Sequence, residues 1–218
     1  MKFHLPKLEL LHRLTSVGLV AVVRAQTGEE AIRIAEALVE GGCSAIEITF
    51  TIPAAHRVME SLADRFSQDE LILGAGTVLD PETARIALLS GARYLVSPCL
   101  NVETVRLCNR YQVPVMPGAM TIAEVVAGME AGADIVKLFP GEALGPSFLK
   151  SVRGPLPQAP LMPTGGVDVE NVAQWIQAGA VAVGAGSSLT GSAKSGDFAR
   201  ITALAREFIE RIGEARGG

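Results

Sequence analysis

Cysteine, histidine and aromatic side chains are scarce in this chain of 218 residues. Its three cysteines, Cys43, Cys99 and Cys108, are an odd number, and none forms a C-x-x-C pair. That argues against a disulfide framework and leaves the thiols as small hydrophobes in a reducing compartment. His4, His12 and His56 are scattered, with no second ligand at metal-binding spacing, so no metal site and no cofactor is expected. Aromatics make up 5%, and the single tryptophan, Trp175, is expected to pack a helix. An excess of positive charge is also missing. Lys and Arg number 19 against 23 Asp and Glu, a net charge of -4, with no basic block. Nucleic acid and anionic membrane are therefore poor partners. No apolar run is long enough to span a bilayer. The opening MKFHLPKLELLHRL is amphipathic and lacks the apolar core of a signal peptide, so the expected location is the cytoplasm.

What is present is apolar material: 49% hydrophobic residues against 19% charged, enough for one substantial core over residues 1–218. Short apolar runs recur at 19–25, 45–50, 71–78, 94–99, 113–118, 134–140, 160–167 and 180–189. Segments of helical spacing separate them. Thr27 followed by Glu30, Asp80 before Pro81, and Thr121 followed by Glu124 read as helix starts. Glycines at 41–42, 91, 132 and 179 read as helix ends. Eight strands, each followed by a helix, predict a (β/α)8 TIM barrel, with a helix at about 7–17 capping its N-terminal side. The runner-up is a doubly wound open sheet, but RAQTGEE after the first strand lacks the G-x-G-x-x-G turn. The C-terminal EARGG is expected to fray.

Catalytic groups of such barrels sit at the carboxyl ends of strands. In AIEITFT, alternation places Ile46, Ile48 and Phe50 on one side and Glu47, Thr49 and Thr51 on the other. With the apolar side under the helices, Glu47 falls inside the barrel, where it must be paired or functional. Lys137 lies in DIVKLFP between Val136 and Leu138. Burial lowers a lysine's pKa and frees the amine as a nucleophile. A plain ion pair between Lys137 and Glu47 and a Schiff-base site both fit this pattern. Arg24, at the end of strand one, suits a substrate carboxylate or is simply a surface residue at a loop start. Thr77 ends strand three with a hydroxyl. The turns PTGGV (163–167) and GAGSS (184–188) follow strands seven and eight, the usual place for a barrel's phosphate site. Neither turn carries a lysine or arginine, so backbone amides and the hydroxyl of Ser187 or Ser188 are expected to meet the charge.

The strings VVRA, IEITFT, GAGTV, SP, PG, KLFP, PTGGV and a closing GS, in this order, resemble the bacterial 2-keto-3-deoxy-6-phosphogluconate aldolases, a family that includes bifunctional 4-hydroxy-2-oxoglutarate aldolases. The resemblance implies a metal-free class I aldolase, a homotrimer acting on a small 2-keto acid and an aldehyde phosphate. It places the Schiff-base lysine on Lys137 and the acid/base glutamate on Glu47. Thr77 then helps hold pyruvate, Thr164 lies beside the reacting carbon, and Gly165, Gly166, Gly186 and Ser187 contact phosphate. Phe139, Pro98 and Pro117 would form an apolar wall beside the substrate. The best-known members carry an arginine where this chain has Thr51. A second branch has an arginine matching Arg24, which implies that Arg24 takes over the carboxylate contact. A 2-keto-3-deoxy-6-phosphogalactonate aldolase is the near alternative, and a phosphate-binding barrel enzyme of another kind the more distant one.

Overall fold

The structure, a computed structural model, describes residues 5–217. His4 lies outside them. Among the described residues nine strands run in chain order: β1 (Leu19–Val23), β2 (Ala45–Thr49), β3 (Ile72–Gly76), β4 (Tyr94–Val96), β5 (Val115–Met116), β6 (Gly118–Ala119), β7 (Val136–Leu138), β8 (Leu161–Pro163) and β9 (Val183–Ala185). The helices are α1 (Pro6–Val17), α2 (Gly28–Glu40), α3 (Ala55–Arg65), α4 (Pro81–Leu89), α5 (Val102–Arg110), α6 (Ile122–Ala131), α7 (Gly141–Arg153), α8 (Val172–Gln177), α9 (Ser187–Thr190) and α10 (Phe198–Gly217). A 3-10 turn, Gly191–Ser195, precedes α10.

The result is an α/β fold with parallel strands in two sheets, ordered β5-β4-β3-β2-β1-β9 and β6-β7-β8. Strands neighbour one another in chain order, with β9 beside β1, so the order reversal of a doubly wound sheet is not found. The expected fifth strand is cut in two at Pro117, which has no N–H to give a ladder. Its two halves pair with different neighbours, β5 with β4 and β6 with β7. A parallel bridge between Thr164 and Gly184 joins the other edge of the small sheet to β9.

Helix starts follow the expected chemistry. The Thr27 side chain accepts from the Glu30 amide, Asp80 accepts from Thr83, and Thr121 with Glu124 completes a capping box. The larger core lies between the strands and α2 to α10, with Trp175 buried there as expected. On the opposite face Leu10 and Leu14 of α1 pack on Val20, Ala45, Ile72, Tyr94, Met116 and Met162, covering the amino ends of the strands. Among the described residues the expected fraying at the C-terminus is not seen: α10 is helical through Gly217. Its anchor is Arg216, whose guanidinium donates to the carbonyls of Thr15 and Ser16 at 2.7 Å and of Val181 at 3.1 Å. The first two are among the last carbonyls of α1, which have no partner within that helix. No helix among the described residues is long and apolar enough to cross a membrane.

Candidate active site

Period-two alternation in β2 sends Ile46 and Ile48 into the helix-facing core and leaves Glu47 and Thr49 on the other face. Glu47 is only 1% exposed. The space for it comes from β3, where Gly76 pairs in register with Thr49. A Cβ on Gly76 would strike the Glu47 carboxylate, so no other residue fits there without moving the acid. Glu47 Oε2 has no hydrogen-bond partner in the protein. Burial pushes this carboxyl above the usual carboxylate range, and the charges of Lys137 and then Arg24 draw it back.

Lys137 is held in β7 between Gly118 and Met162 of the neighbouring strands and is 4% exposed. Its Nζ lies 4.8 Å from the centre of the Phe139 ring, part of the apolar wall expected from the sequence. Burial lowers the pKa of the amine. Glu47 raises it in part and Arg24 lowers it further. Among the described residues no ion pair within 4.0 Å joins Lys137 to Glu47. Each group feels the other's charge without being clasped by it, which leaves the amine free to act as a nucleophile.

Thr164 and Thr77 lie at the ends of strands next to this pair, and Pro98 lies against another such strand. Thr164, just past β8, is 5% exposed, and its Oγ1 is turned toward Gly184 with no partner. Thr77 follows β3 with φ 57°, a left-handed backbone that costs a β-branched residue roughly 1–3 kcal/mol and is typical of functional positions. The half-buried Pro98 presses its carbonyl on Gly118, beside Lys137 in register. Thr51, where an arginine is often found, has its hydroxyl 2.7 Å from that of Thr49, which in turn donates to the Val23 carbonyl.

Arg24 is exposed and lines a cavity of about 480 Å³ together with Thr51, Gly186, Ser187, Thr190 and Lys194. Lys194 comes from the 3-10 turn and Glu30 from α2, so two cations and a carboxylate line the cavity. Lys194 lies in GSAKSG, beyond the strand ends on which the sequence reading rested. The other turn does not reach this cavity. Gly165 and Gly166, at φ 93° and 68°, pack on Glu142 of α7. The turns are tied together by Ser188, whose hydroxyl donates to the Val167 carbonyl at 2.5 Å, leaving Ser187 at the cavity wall. Cys43 and Cys108 are buried with thiols pushed up to about 12, and so are inert, while Cys99 is exposed. Among the described residues no cluster of His, Cys, Asp or Glu is arranged to hold a metal ion.

A buried free amine near a buried carboxylate, on the ends of parallel strands, is the equipment of an imine-forming lyase. Residues 10–204 match the family model for KDPG and KHG aldolases, named for 2-keto-3-deoxy-6-phosphogluconate and 2-keto-4-hydroxyglutarate, and the chain belongs to that aldolase family. It is 34% identical over 202 residues to the 2-dehydro-3-deoxy-6-phosphogalactonate aldolase of Escherichia coli (strain K12), covering 92% of this chain and 97% of that one. It is 33% identical over 208 residues to the 2-dehydro-3-deoxy-phosphogluconate aldolase of Treponema pallidum (strain Nichols), covering 94% and 98%. Among solved structures it is similar to the KDPG aldolase of Legionella pneumophila with pyruvate captured as a covalent carbinolamine. That match has a TM-score of 0.82 and 28% identity, and covers 90% of this chain and 96% of the other.

Proposed function

We propose that this chain is a cytoplasmic class I aldolase that cleaves 2-keto-3-deoxy-6-phosphogluconate to pyruvate and glyceraldehyde 3-phosphate, and 4-hydroxy-2-oxoglutarate to pyruvate and glyoxylate. The observation that carries the reading is the buried amine of Lys137 beside the buried carboxylate of Glu47. The Lys137 amine adds to the C2 carbonyl, and loss of water gives an iminium. Glu47 accepts the C4 hydroxyl proton, the C3–C4 bond breaks, and its electron pair moves into the iminium as the aldehyde leaves. The enamine takes a proton at C3, and water releases pyruvate and restores the amine. The carbinolamine of the Legionella relative is an intermediate of this kind.

In this reading Arg24 contacts the substrate carboxylate, Thr77 and Thr164 flank the reacting carbons, and Pro98 borders the pyruvate. Gly186 and Ser187 take the phosphate, with Gly165 and Gly166 shaping the adjoining turn. A single closed (β/α)8 domain fits the wrap-around order of the strands, with β5 and β6 as halves of one strand and the Thr164–Gly184 bridge closing the ring. A homotrimer would give cover to some of the exposed large apolar side chains, among them Leu79, Ile86, Leu89, Val102, Tyr111 and Ile122. Sedimentation equilibrium should return three times the 22.8 kDa chain mass, and a monomer would remove the trimer.

Cleavage assays on a small panel test the activity. The 6-phosphate of 2-keto-3-deoxygluconate should be cleaved with a far lower KM than the unphosphorylated sugar acid, and inorganic phosphate should compete with it. Equal efficiency on both would end the phosphate assignment. The C4 epimer belongs in the panel, because the 34% likeness to a phosphogalactonate aldolase favours that substrate as a second reading. On the same panel Arg24→Ala should weaken keto-acid binding by about 1.5–3 kcal/mol, the worth of one charge-assisted contact. It should affect glyceraldehyde 3-phosphate much less. An equal loss for both ligands would make Arg24 a general electrostatic contributor.

A further inference from the structure

We propose that Tyr94 is a positioning residue for Glu47, its hydroxyl anchoring the carboxylate through one bridging water molecule. The proposal rests on the reading of Glu47 as the acid/base of an aldolase. It begins from register. Glu47 of β2 pairs with Gly74 of β3, and Gly74 pairs with Tyr94 of β4. The three form one layer on the face away from the helices, and the middle position has no side chain. Tyr94 uses that gap. A Cβ on Gly74 would collide with Cζ and both Cε atoms of the ring, so the hydroxyl-bearing end of Tyr94 lies over β3 and reaches toward β2. The Glu47 carboxylate lies over Gly76, two residues further along the same strand face. The two side-chain ends thus sit over positions roughly 6.6 Å apart from Cα to Cα, a separation on the scale that one bridging water closes between side chains.

Both ends of this bridge are left over by the protein itself. Tyr94 is 0% exposed and Glu47 1%, and neither the Tyr94 hydroxyl nor Glu47 Oε2 has a partner. Unpartnered buried oxygens are costly, and one water with two such neighbours satisfies both. Packing does not explain the hydroxyl. Tyr94 stands on the apolar floor with Leu10, Leu14, Val96 and Met116, where a phenylalanine would fill the same volume without burying an oxygen. The phenol is held well above its usual range, first by burial, then by the charge of Glu47, with Cys43 adding to it, so it stays a donor at working pH. The other groups that bear on Glu47 are the cations Lys137 and Arg24, while the hydroxyls of Thr49 and Thr51 are engaged with each other and with Val23.

The test is the pH dependence of keto-acid cleavage by Tyr94→Phe, folded by circular dichroism. A donor favours the ionised carboxylate, so its removal raises the Glu47 pKa. The acid limb of kcat should move up by about 0.5–1 pH unit, the size of a lost water-mediated bond to a charged group. The alkaline limb and borohydride trapping of pyruvate on Lys137 should stay as they are. A second form removes any doubt about folding. The chain has two tyrosines, Tyr94 and the exposed Tyr111, so 3-fluorotyrosine in a Tyr111→Phe background places a more acidic phenol at Tyr94 alone. A stronger donor should move the acid limb down. Normal trapping with an unmoved limb in the folded variants overturns the role of Tyr94 and spares the aldolase reading. Absence of trapping in the unaltered enzyme overturns both.

Discussion

Lys137→Met should abolish cleavage, with turnover falling by on the order of 10⁴-fold or more, as when a covalent nucleophile is removed. Methionine keeps the length of the stem and drops the amine. Borohydride added with pyruvate should reduce an imine on the peptide containing Lys137 in the unaltered enzyme and leave no adduct in the variant. Mass spectrometry that places the adduct elsewhere would end the assignment. Chelators should leave turnover unchanged, since neither step of the imine chemistry calls on a metal.

Glu47→Gln separates proton transfer from imine formation. The amide has the same shape and fits the space that Gly76 leaves, so folding and pyruvate trapping should persist. Turnover should fall roughly 100-fold or more, the usual loss for a general acid/base. The sign of the pH dependence follows from the environment. Burial raises the Glu47 carboxyl, and the base must be ionised to accept the C4 hydroxyl proton. Activity of the unaltered enzyme should therefore fail, as pH drops, at a pH above the usual carboxylate range. In Glu47→Gln that acid limb should vanish. Burial lowers the Lys137 pKa, so the free amine should be available at a lower pH than an ordinary lysine allows. Turnover near that of the unaltered enzyme would return Glu47 to a structural role.

The pair at the centre of these predictions is legible in the sequence because β2 and β7 are short and alternate strictly. A carboxylate flanked by Ile46 and Ile48, and a lysine flanked by Val136 and Leu138, can only face away from the helices once the apolar neighbours face them. Helix starts are legible for a local reason too: a cap is a contact between residues three apart, as at Thr27, Asp80 and Thr121. The break at Pro117 was within reach, since a proline inside a strand run removes a ladder donor. Contacts between distant segments left no such trace. Nothing in EARGG announces that Arg216 will find carbonyls of Thr15 and Ser16 some 200 residues earlier.

Sequence alone, then, determined the parallel α/β pattern, the family, and the placing of the two residues proposed to carry the chemistry, because periodicity and motif spacing are properties of neighbouring positions. Tertiary structure alone decided the company those residues keep. It placed Lys194 on the wall of the cavity that Gly186 and Ser187 also line. It sent Gly165 and Gly166 toward Glu142 instead. It laid the Tyr94 hydroxyl across Gly74 toward Glu47, because register between strands is fixed by hydrogen bonds and packing over the whole sheet, and no single segment encodes it.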